Sequence, residues 1–370
     1  MKKSILATGV VCLSCFVPLQ ATAQNLSDLF SELYIFGDSL VDTGNLFNLT
    51  EQIFGVGAPP SPPYEQLFSN GPISMDFIAA ELGLMPTLIT DIQLAGAIPT
   101  DGVNFAFGGA TTTDFNVGGP GLPGLTQQLG LFQDVVTIQP PAPDALYILL
   151  AGANDYNEVF FSGLPAPVAE PADLPEFVTA NLSAAVESLF NAGGRNFLVI
   201  NLPNLGETPL ANSLDLLEPG ASDLLNDLTA EHNLLLDQEL DALSMLPDIS
   251  LTRFDFNALF SDVLADPAQF GFTDVENSCL INFMPGFVFE GVCDTPDTFL
   301  FFDNIHPTTV ANEQIGNAAL ASLSATTADV LEPTSVLGLL GLGILGVRAM
   351  KRKPQNSGDV AMLHIYISRG

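Results

Sequence analysis

Short, nearly uninterrupted apolar runs mark the middle of the chain, and each stops at a turn-forming residue. Leu33-Tyr34-Ile35-Phe36 stops at Gly37, and Val103-Asn104-Phe105-Ala106-Phe107 stops at Gly108-Gly109. Ala145 to Leu150 stops at Ala151-Gly152, and Asn196 to Ile200 stops at Asn201-Leu202-Pro203. A fifth stretch, Ile249 to Phe256, alternates apolar and polar positions. Runs this short and this apolar predict strands buried on both faces. Helical spacing of apolar residues covers Met75 to Leu82, Pro175 to Ala192, Ala221 to Leu243 and Thr308 to Leu323. Stretches 50–73, 112–130, 157–175 and 270–300, rich in Gly, Pro and polar residues, predict long loops. Strands alternating with helices predict an α/β fold: a mainly parallel, five-stranded sheet with helices on both faces.

The two ends carry different patterns. Lys2 and Lys3 precede an apolar run from Ile5 to Val17, and Ala21-Thr22-Ala23 forms a small-residue cleavage site. This is the layout of a signal peptide over residues 1–23, and it predicts an exported chain that starts near Gln24. The run is too short for a permanent membrane helix. A lipid anchor on Cys15 is the alternative, and Cys12-Leu13-Ser14 before it matches that signal poorly. At the other end, Leu331-Glu332-Pro333-Thr334-Ser335 leads into an apolar run from Val336 to Val347, then Arg348 and Lys351-Arg352-Lys353. That order resembles a PEP-CTERM sorting signal over residues 327–353, and it predicts handling by export and sorting machinery with retention at the cell envelope. The tail 354–370 departs from the pattern, because such signals stop just after the basic cluster. Gly341-Leu342-Gly343-Ile344-Leu345-Gly346 fits G-x-G-x-x-G, but no βαβ unit surrounds it, so it is not read as a dinucleotide site.

Charge sharpens this division. The 370 residues hold 42 acids and 9 bases, a net charge of −33. Only Asp359 among the acids lies outside residues 24–333, and only Arg195 and Arg253 among the bases lie inside, so that stretch carries −39. A nucleic-acid partner needs a basic face and is excluded. Loss of the signal peptide leaves Cys279 and Cys293, an even pair for a disulfide in an oxidising compartment. Two free thiols are the alternative, and a zinc pair would lack further Cys or His nearby.

Ligands of open α/β sheets bind beyond the carboxyl ends of the strands. Four segments fall on that rim: Phe36-Gly37-Asp38-Ser39-Leu40, followed by Val41-Asp42-Thr43-Gly44-Asn45; Gly108-Gly109-Ala110-Thr111; Gly152-Ala153-Asn154-Asp155; and Asp303-Asn304-Ile305-His306. A serine becomes a useful nucleophile only beside a base that a third group orients. Within residues 24–333 the histidines are His232, expected on the surface of a helix, and His306, three residues after Asp303. An attacked carbonyl also needs fixed donors for its oxygen. The N–H groups of Ser39 and Gly109 and the amide of Asn154 are the candidates, with Gly108 an alternative to Gly109.

In this order the four segments resemble the GDSL lipase/esterase (SGNH hydrolase) family, in its secreted bacterial branch. Phe68-Ser69-Asn70-Gly71 and Asn201-Leu202-Pro203-Asn204-Leu205-Gly206 also look like family segments. The resemblance runs from about Tyr34 to Leu323 and implies a flavodoxin-like, three-layer αβα sandwich over residues 24–326. It implies a carboxylic-ester hydrolase working without metal or cofactor through an acyl-enzyme. Ser39 would be nucleophile, His306 base and then acid, Asp303 the orienting carboxylate, and Ser39, Gly109 and Asn154 the oxyanion hole. Lipid, polysaccharide and small-molecule esters are the expected substrates. An acyltransferase, a polysaccharide deacetylase and a non-catalytic surface binder are the alternatives. Phe270, Phe272, Phe283, Phe287, Phe289, Phe299 and Phe301 are expected either to line an acyl pocket or to fill core. The acidic surface should disfavour anionic substrates.

Overall fold

A computed structural model describes residues 25–157, 160 and 167–331. The expected signal peptide lies outside these residues, as does nearly all of the expected sorting segment and tail. In chain order the main elements are β1 (Leu33–Gly37), α1 (Asn45–Phe54), α2 (Ser74–Leu82), β2 (Thr87–Leu88), α3 (Ile89–Ala95), β3 (Gly102–Asn104), α4 (Leu125–Ile138), β4 (Leu146–Leu150) and α5 (Ala153–Asn157). There follow α6 (Leu174–Asn191), β5 (Asn196–Ile200), α7 (Pro209–Asp215), α8 (Ala221–Leu243), β6 (Ser250–Phe254), α9 (Phe256–Ala265), β7 (Asp274–Ser278), β8 (Leu280–Ile281), β9 (Gly291–Val292), β10 (Phe299–Phe301) and α10 (Thr309–Leu331). The described residues up to Ser324 form one compact unit. Among the described residues no helix is long and apolar enough to cross a membrane.

The central sheet is parallel, in the order β2-β3-β1-β4-β5-β6. Helices flank it, giving the expected α/β layers. All five expected strands are present, and the sheet has a sixth. Its edge strand β2 is only two residues long, too short to leave an alternation in the sequence. β3 is shorter than its apolar run because the Asn104 side chain takes the N–H of Ala106. The chain still runs along β1, with Phe105 and Phe107 N–H donating to the carbonyls of Ile35 and Gly37 at 2.8 and 3.2 Å. Helices α1 and α4 reach into stretches expected to be loops. In α4 the buried positions are only Leu125, Gln128 and Phe132, a stripe too narrow to stand out.

Every residue of β1 and β4 is buried. Removing such apolar surface from water is the main force behind the sheet, at about 1.5–3 kcal/mol for each large side chain. On one face Tyr34 stacks on Tyr147 at 5.2 Å, and Phe36 stacks on Phe105 at 5.2 Å. Phe132 of α4 meets Tyr34 and Phe36 edge-on at 5.7 and 5.6 Å, seating that helix.

The chain leaves β1 for strands on one side of it and later returns to β4 on the other. Loops beyond β3, β1 and β4 therefore face one another across a switch in strand order, where such sheets leave a crevice. Gly37 makes the exit from β1 possible. Its φ is +147°, and a Cβ there would lie 1.9 Å from the carbonyl oxygen of Leu150. Its N–H and carbonyl are both held by the buried amide of Gln128, at 2.9 and 2.8 Å.

The stretch expected as a loop at 270–300 holds two small sheets, β7 with β10 and β8 with β9. Cys279 and Cys293 are joined by a disulfide across this excursion, 14 residues apart. Cys279 packs with Tyr64, Leu280 and Phe302 in a small separate core. Replacing both cysteines by alanine is expected to lower stability by about 3 kcal/mol, the chain-entropy cost for a loop of this size. Urea unfolding of the variant against the oxidised parent measures it.

Candidate active site

Ser39 follows β1 by two residues, Gly109 lies beyond β3, and Asn154 opens α5 just after β4. These are three adjacent strands, so three distant segments reach one rim. His306 comes from outside the sheet, on the loop between β10 and α10. That loop is pinned from several sides. Ser69 Oγ donates to the Pro307 carbonyl at 2.9 Å, and Thr309 N–H donates to Asn70 Oδ1 at 2.9 Å. Asn312 Nδ2 also donates to the Pro307 carbonyl, at 3.1 Å. The Phe68 ring lies against the imidazole of His306, centroids 4.8 Å apart. The segment Phe68-Ser69-Asn70-Gly71 thus holds the histidine loop in place.

Ser39 Oγ lies 2.8 Å from His306 Nε2, and His306 Nδ1 lies 2.7 Å from Asp303 Oδ2. All three side chains are buried. The carboxylate of Asp303 is fully satisfied. Oδ1 accepts the N–H groups of Ile305 and His306 at 2.9 and 2.8 Å, and Oδ2 accepts the Tyr64 hydroxyl at 2.7 Å as well as the imidazole. Burial alone would raise the pKa of Asp303, but the charge of His306 and these donors outweigh it and hold the group below the usual carboxylate range. Nothing near position 64 in the sequence hints that a tyrosine would reach Asp303.

Asp42 is a second residue whose role needed the structure. It is buried, and its oxygens accept four backbone N–H groups: Gly44 and Asn45 at 2.9 and 2.6 Å, Leu46 and Gly108 at 3.0 and 2.8 Å. An aspartate just before a helix is a readable helix-start signal, but its reach to Gly108 is not. That reach separates the two glycines. The N–H of Gly108 is committed to Asp42, whereas among the described residues the N–H groups of Gly109 and Ser39 have no partner. Gly109 has φ +78°, a conformation that suits glycine. Asn154 Nδ2 donates one hydrogen to the Ala110 carbonyl at 3.0 Å, which ties β4's end to the glycine turn, and among the described residues its second hydrogen has no partner. Thr112 N–H and Oγ1 bind the two oxygens of Asp155 at 2.9 and 2.7 Å, a second tie between the same segments.

Further buried titratable groups lie behind this rim. Asp38, next to Ser39, is pushed up to about 6 by burial, against the Leu40 N–H and His306 and with the help of Asp42. Asp155 is pushed up to about 7, again chiefly by burial and opposed by Thr112, with Asp38 adding to the rise. His232, expected on the surface, is fully buried at 0% exposure. α8 packs on α6, position 232 falls on its inner stripe with Leu225, Leu228 and Leu236, and its imidazole lies beside Gly152, just past the end of β4. Its Nδ1 meets the Tyr156 hydroxyl at 3.0 Å, its Nε2 has no partner among the described residues, and burial lowers its pKa to about 3.

An apolar cleft opens beside Ser39, Asn154 and His306. Its walls are Leu205, Phe256, Leu259, Phe260, Val263, Phe272, Leu300, Phe301 and Ile315. The aromatic-rich stretch therefore divides. Phe272 and Phe301 line the cleft, while Phe283, Phe287, Phe289 and Phe299 pack around Tyr64 and Cys279, and Phe270 packs on the main core. Among the described residues no cluster of His, Cys, Asp or Glu is arranged to hold a metal ion.

A family model described as GDSL-like lipase/acylhydrolase matches residues 33–319. The chain is 27% identical over 343 residues to a GDSL lipase of Tanacetum cinerariifolium, spanning 84% of this chain and 88% of that one. It is 28% identical over 351 residues to a GDSL esterase/lipase of Arabidopsis thaliana, spanning 84% and 91%. Among solved structures, an acetyl xylan esterase is similar at a TM-score of 0.36 and 14% identity, over 79% of this chain and 99% of that one.

The buried groups set opposite pH trends. His232 titrates lower when folded than its ordinary 6.5, so its contribution to stability is present above that value and is lost as pH falls toward 3. Asp38 and Asp155 titrate higher when folded than 3.8, so their contribution is present below that value and fades as pH rises through 6 to 7. Removing the histidine should expose the difference. The stability of the parent relative to His232→Gln is expected to drop by about 3 kcal/mol between pH 7 and pH 4. Urea unfolding of both proteins across that range provides the check.

Proposed function

The chain belongs to the GDSL-like lipase/acylhydrolase family and is an ester-bond hydrolase, and from that premise we propose that Ser39, His306 and Asp303 carry the hydrolysis through an acyl-enzyme. The observation that carries this reading is the unbroken relay from Ser39 Oγ to His306 to Asp303 beside spare donors and an apolar cleft. The Ser39 hydroxyl donates to His306 Nε2. As Oγ attacks the ester carbonyl carbon, its proton passes to Nε2. The imidazolium then donates through Nδ1 to Asp303, which stays ionised. The carbonyl oxygen gains a negative charge and accepts hydrogen bonds from Ser39 N–H, Gly109 N–H and the second Asn154 amide hydrogen. Donors fixed in a site that excludes water lower the barrier most, because they need not reorganise.

Collapse of the intermediate expels the alcohol, which takes the proton from Nε2 and leaves the acyl group on Ser39 Oγ. Water then attacks that acyl carbon, gives its proton to His306, and releases the carboxylic acid as Ser39 recovers its hydrogen. The apolar cleft favours the acyl side of a neutral, lipid-like ester over a sugar. The acidic surface works against anionic substrates at low salt. The acyltransferase alternative differs only in the acceptor, and adding a short alcohol and analysing products for transesterification separates the two. Export with envelope retention is part of the same proposal. The disulfide Cys279–Cys293, the chain's two end segments and the surplus of acids support it.

Ser39→Ala and His306→Ala are each expected to lower kcat on p-nitrophenyl esters by about 10⁴-fold or more, since members of a relay act as a unit. Equal rates for parent and Ser39→Ala would end the proposal. Asn154→Ala should cost about 10²–10³ in kcat with little change in KM. Leu259→Trp, which fills the cleft, should move the preferred acyl chain to shorter lengths in a panel of p-nitrophenyl esters. A fluorophosphonate probe should label the parent at Ser39 and leave Ser39→Ala unlabelled.

A further inference from the structure

Tyr64 sits on the loop between α1 and α2, 239 residues from the aspartate that its hydroxyl reaches. The contact is selective. Of the two carboxylate oxygens, the tyrosine meets Oδ2, which is also the one that meets the imidazole, and both distances are 2.7 Å. Oδ1 is occupied separately by the N–H groups of Ile305 and His306. Removal of the tyrosine hydroxyl would leave a lone pair of a buried carboxylate with no donor, and water cannot readily replace it, because Asp303 is 1% exposed.

The hydroxyl is held stiffly. The Tyr64 ring is fully buried, with Phe302 edge-on at 5.1 Å and Phe287 edge-on at 5.7 Å. Cys279 and Leu280 complete the small core around it, so the disulfide-linked excursion forms a wall of the tyrosine's socket. Tyr64 is absent from the walls of the cleft.

We propose that Tyr64 is a positioning residue that tunes His306 by sharing Asp303 Oδ2 with it. The proposal rests on the reading of Ser39, His306 and Asp303 as the hydrolytic relay. A hydrogen bond from the phenol draws charge density from Oδ2 and fixes the rotation of the carboxylate. The pull of Asp303 on the imidazolium is thereby moderated, which leaves Nε2 free to accept the Ser39 proton. The other charged groups around the imidazole are Asp38 on the exit from β1, with Asp42 and Asp155 behind it. None of them changes when the phenol alone is altered.

Two substitutions shift the donor in opposite directions while keeping the ring. Tyr64→Phe deletes it, and 3-fluorotyrosine placed at position 64 makes it a stronger acid and a stronger donor. The ring titration of His306, followed by NMR of histidine-labelled protein, needs no substrate and has only three histidines to assign. Tyr64→Phe is expected to raise the His306 midpoint by about one pH unit, and fluorotyrosine to lower it. The acid limb of kcat/KM should move with each, and kcat at pH 7 should fall about tenfold in Tyr64→Phe with KM unchanged. Phe289→Leu trims the same small core without touching a ring that holds the phenol, so it should move neither midpoint nor limb.

An unmoved His306 midpoint in Tyr64→Phe overturns the proposal, as does an equal shift in Phe289→Leu. If Tyr64→Phe does not fold, the fluorotyrosine protein decides alone: a downward shift supports the role and no shift overturns it. Shifts of opposite sign in a protein that hydrolyses no ester would keep the tuning and reject the hydrolytic reading, so the two failures are distinguishable.

Discussion

A carboxylate that must stay ionised while buried dictates the arrangement around Asp303. An unpaired charge in a protein interior costs several kcal/mol, so it survives only where donors surround it. Here four donors come from two sources. A three-residue turn supplies two backbone N–H groups and the imidazole of His306, and a distant loop supplies the phenol of Tyr64. The turn requires a firmly held loop before α10, which Ser69, Asn70 and Asn312 provide. The phenol requires a rigid socket, which the excursion stapled by Cys279 and Cys293 helps to build. Segments with no chemistry of their own are thus explained by one buried charge.

The same accounting of donors applies at the sheet end. Most backbone N–H groups near the candidate oxyanion site are committed elsewhere. Gly37 is held by Gln128, Asp38 by the Leu150 carbonyl, Leu40 by Asp38 and Gly108 by Asp42. Ser39 and Gly109 are left over, next to a half-used Asn154 amide. Unsatisfied buried donors are costly and rare in folded proteins. Their concentration on one rim, facing a cleft, supports the proposal that this rim receives the developing negative charge of an attacked carbonyl.

Acidic residues play two opposite parts in this molecule. Most acids of the stretch 24–333, whose formal charge of −39 also counts the buried ones, lie on the surface and keep it solvated. Inside, Asp42, Asp155 and Asp303 act as acceptors that gather backbone, hydroxyl and imidazole donors and so lock loops to one another. The total charge alone could not distinguish these roles, because burial rather than residue type separates them.

Much of the fold was legible in local sequence, since apolar periodicity is a local property. Five strands of the central sheet, the longest helices and the strand-end placement of Ser39, Gly109 and Asn154 all follow from runs that stop at turn residues, and the Asp303-x-x-His306 spacing follows from the length of one turn. Short or half-buried elements such as β2 and α4 left too weak a pattern to read. The burial of His232 is not readable locally, because polar neighbours on a helix do not reveal which stripe faces the core. By itself, then, the sequence determined the layers of the fold, the residues able to carry chemistry and the rim they would occupy. The tertiary structure alone decided that His306 meets Ser39 across 267 residues, that Gly109 rather than Gly108 keeps its N–H free, and that Tyr64 completes Asp303. Those outcomes depend on contacts between segments remote along the chain, which are formed by packing and which no local pattern encodes.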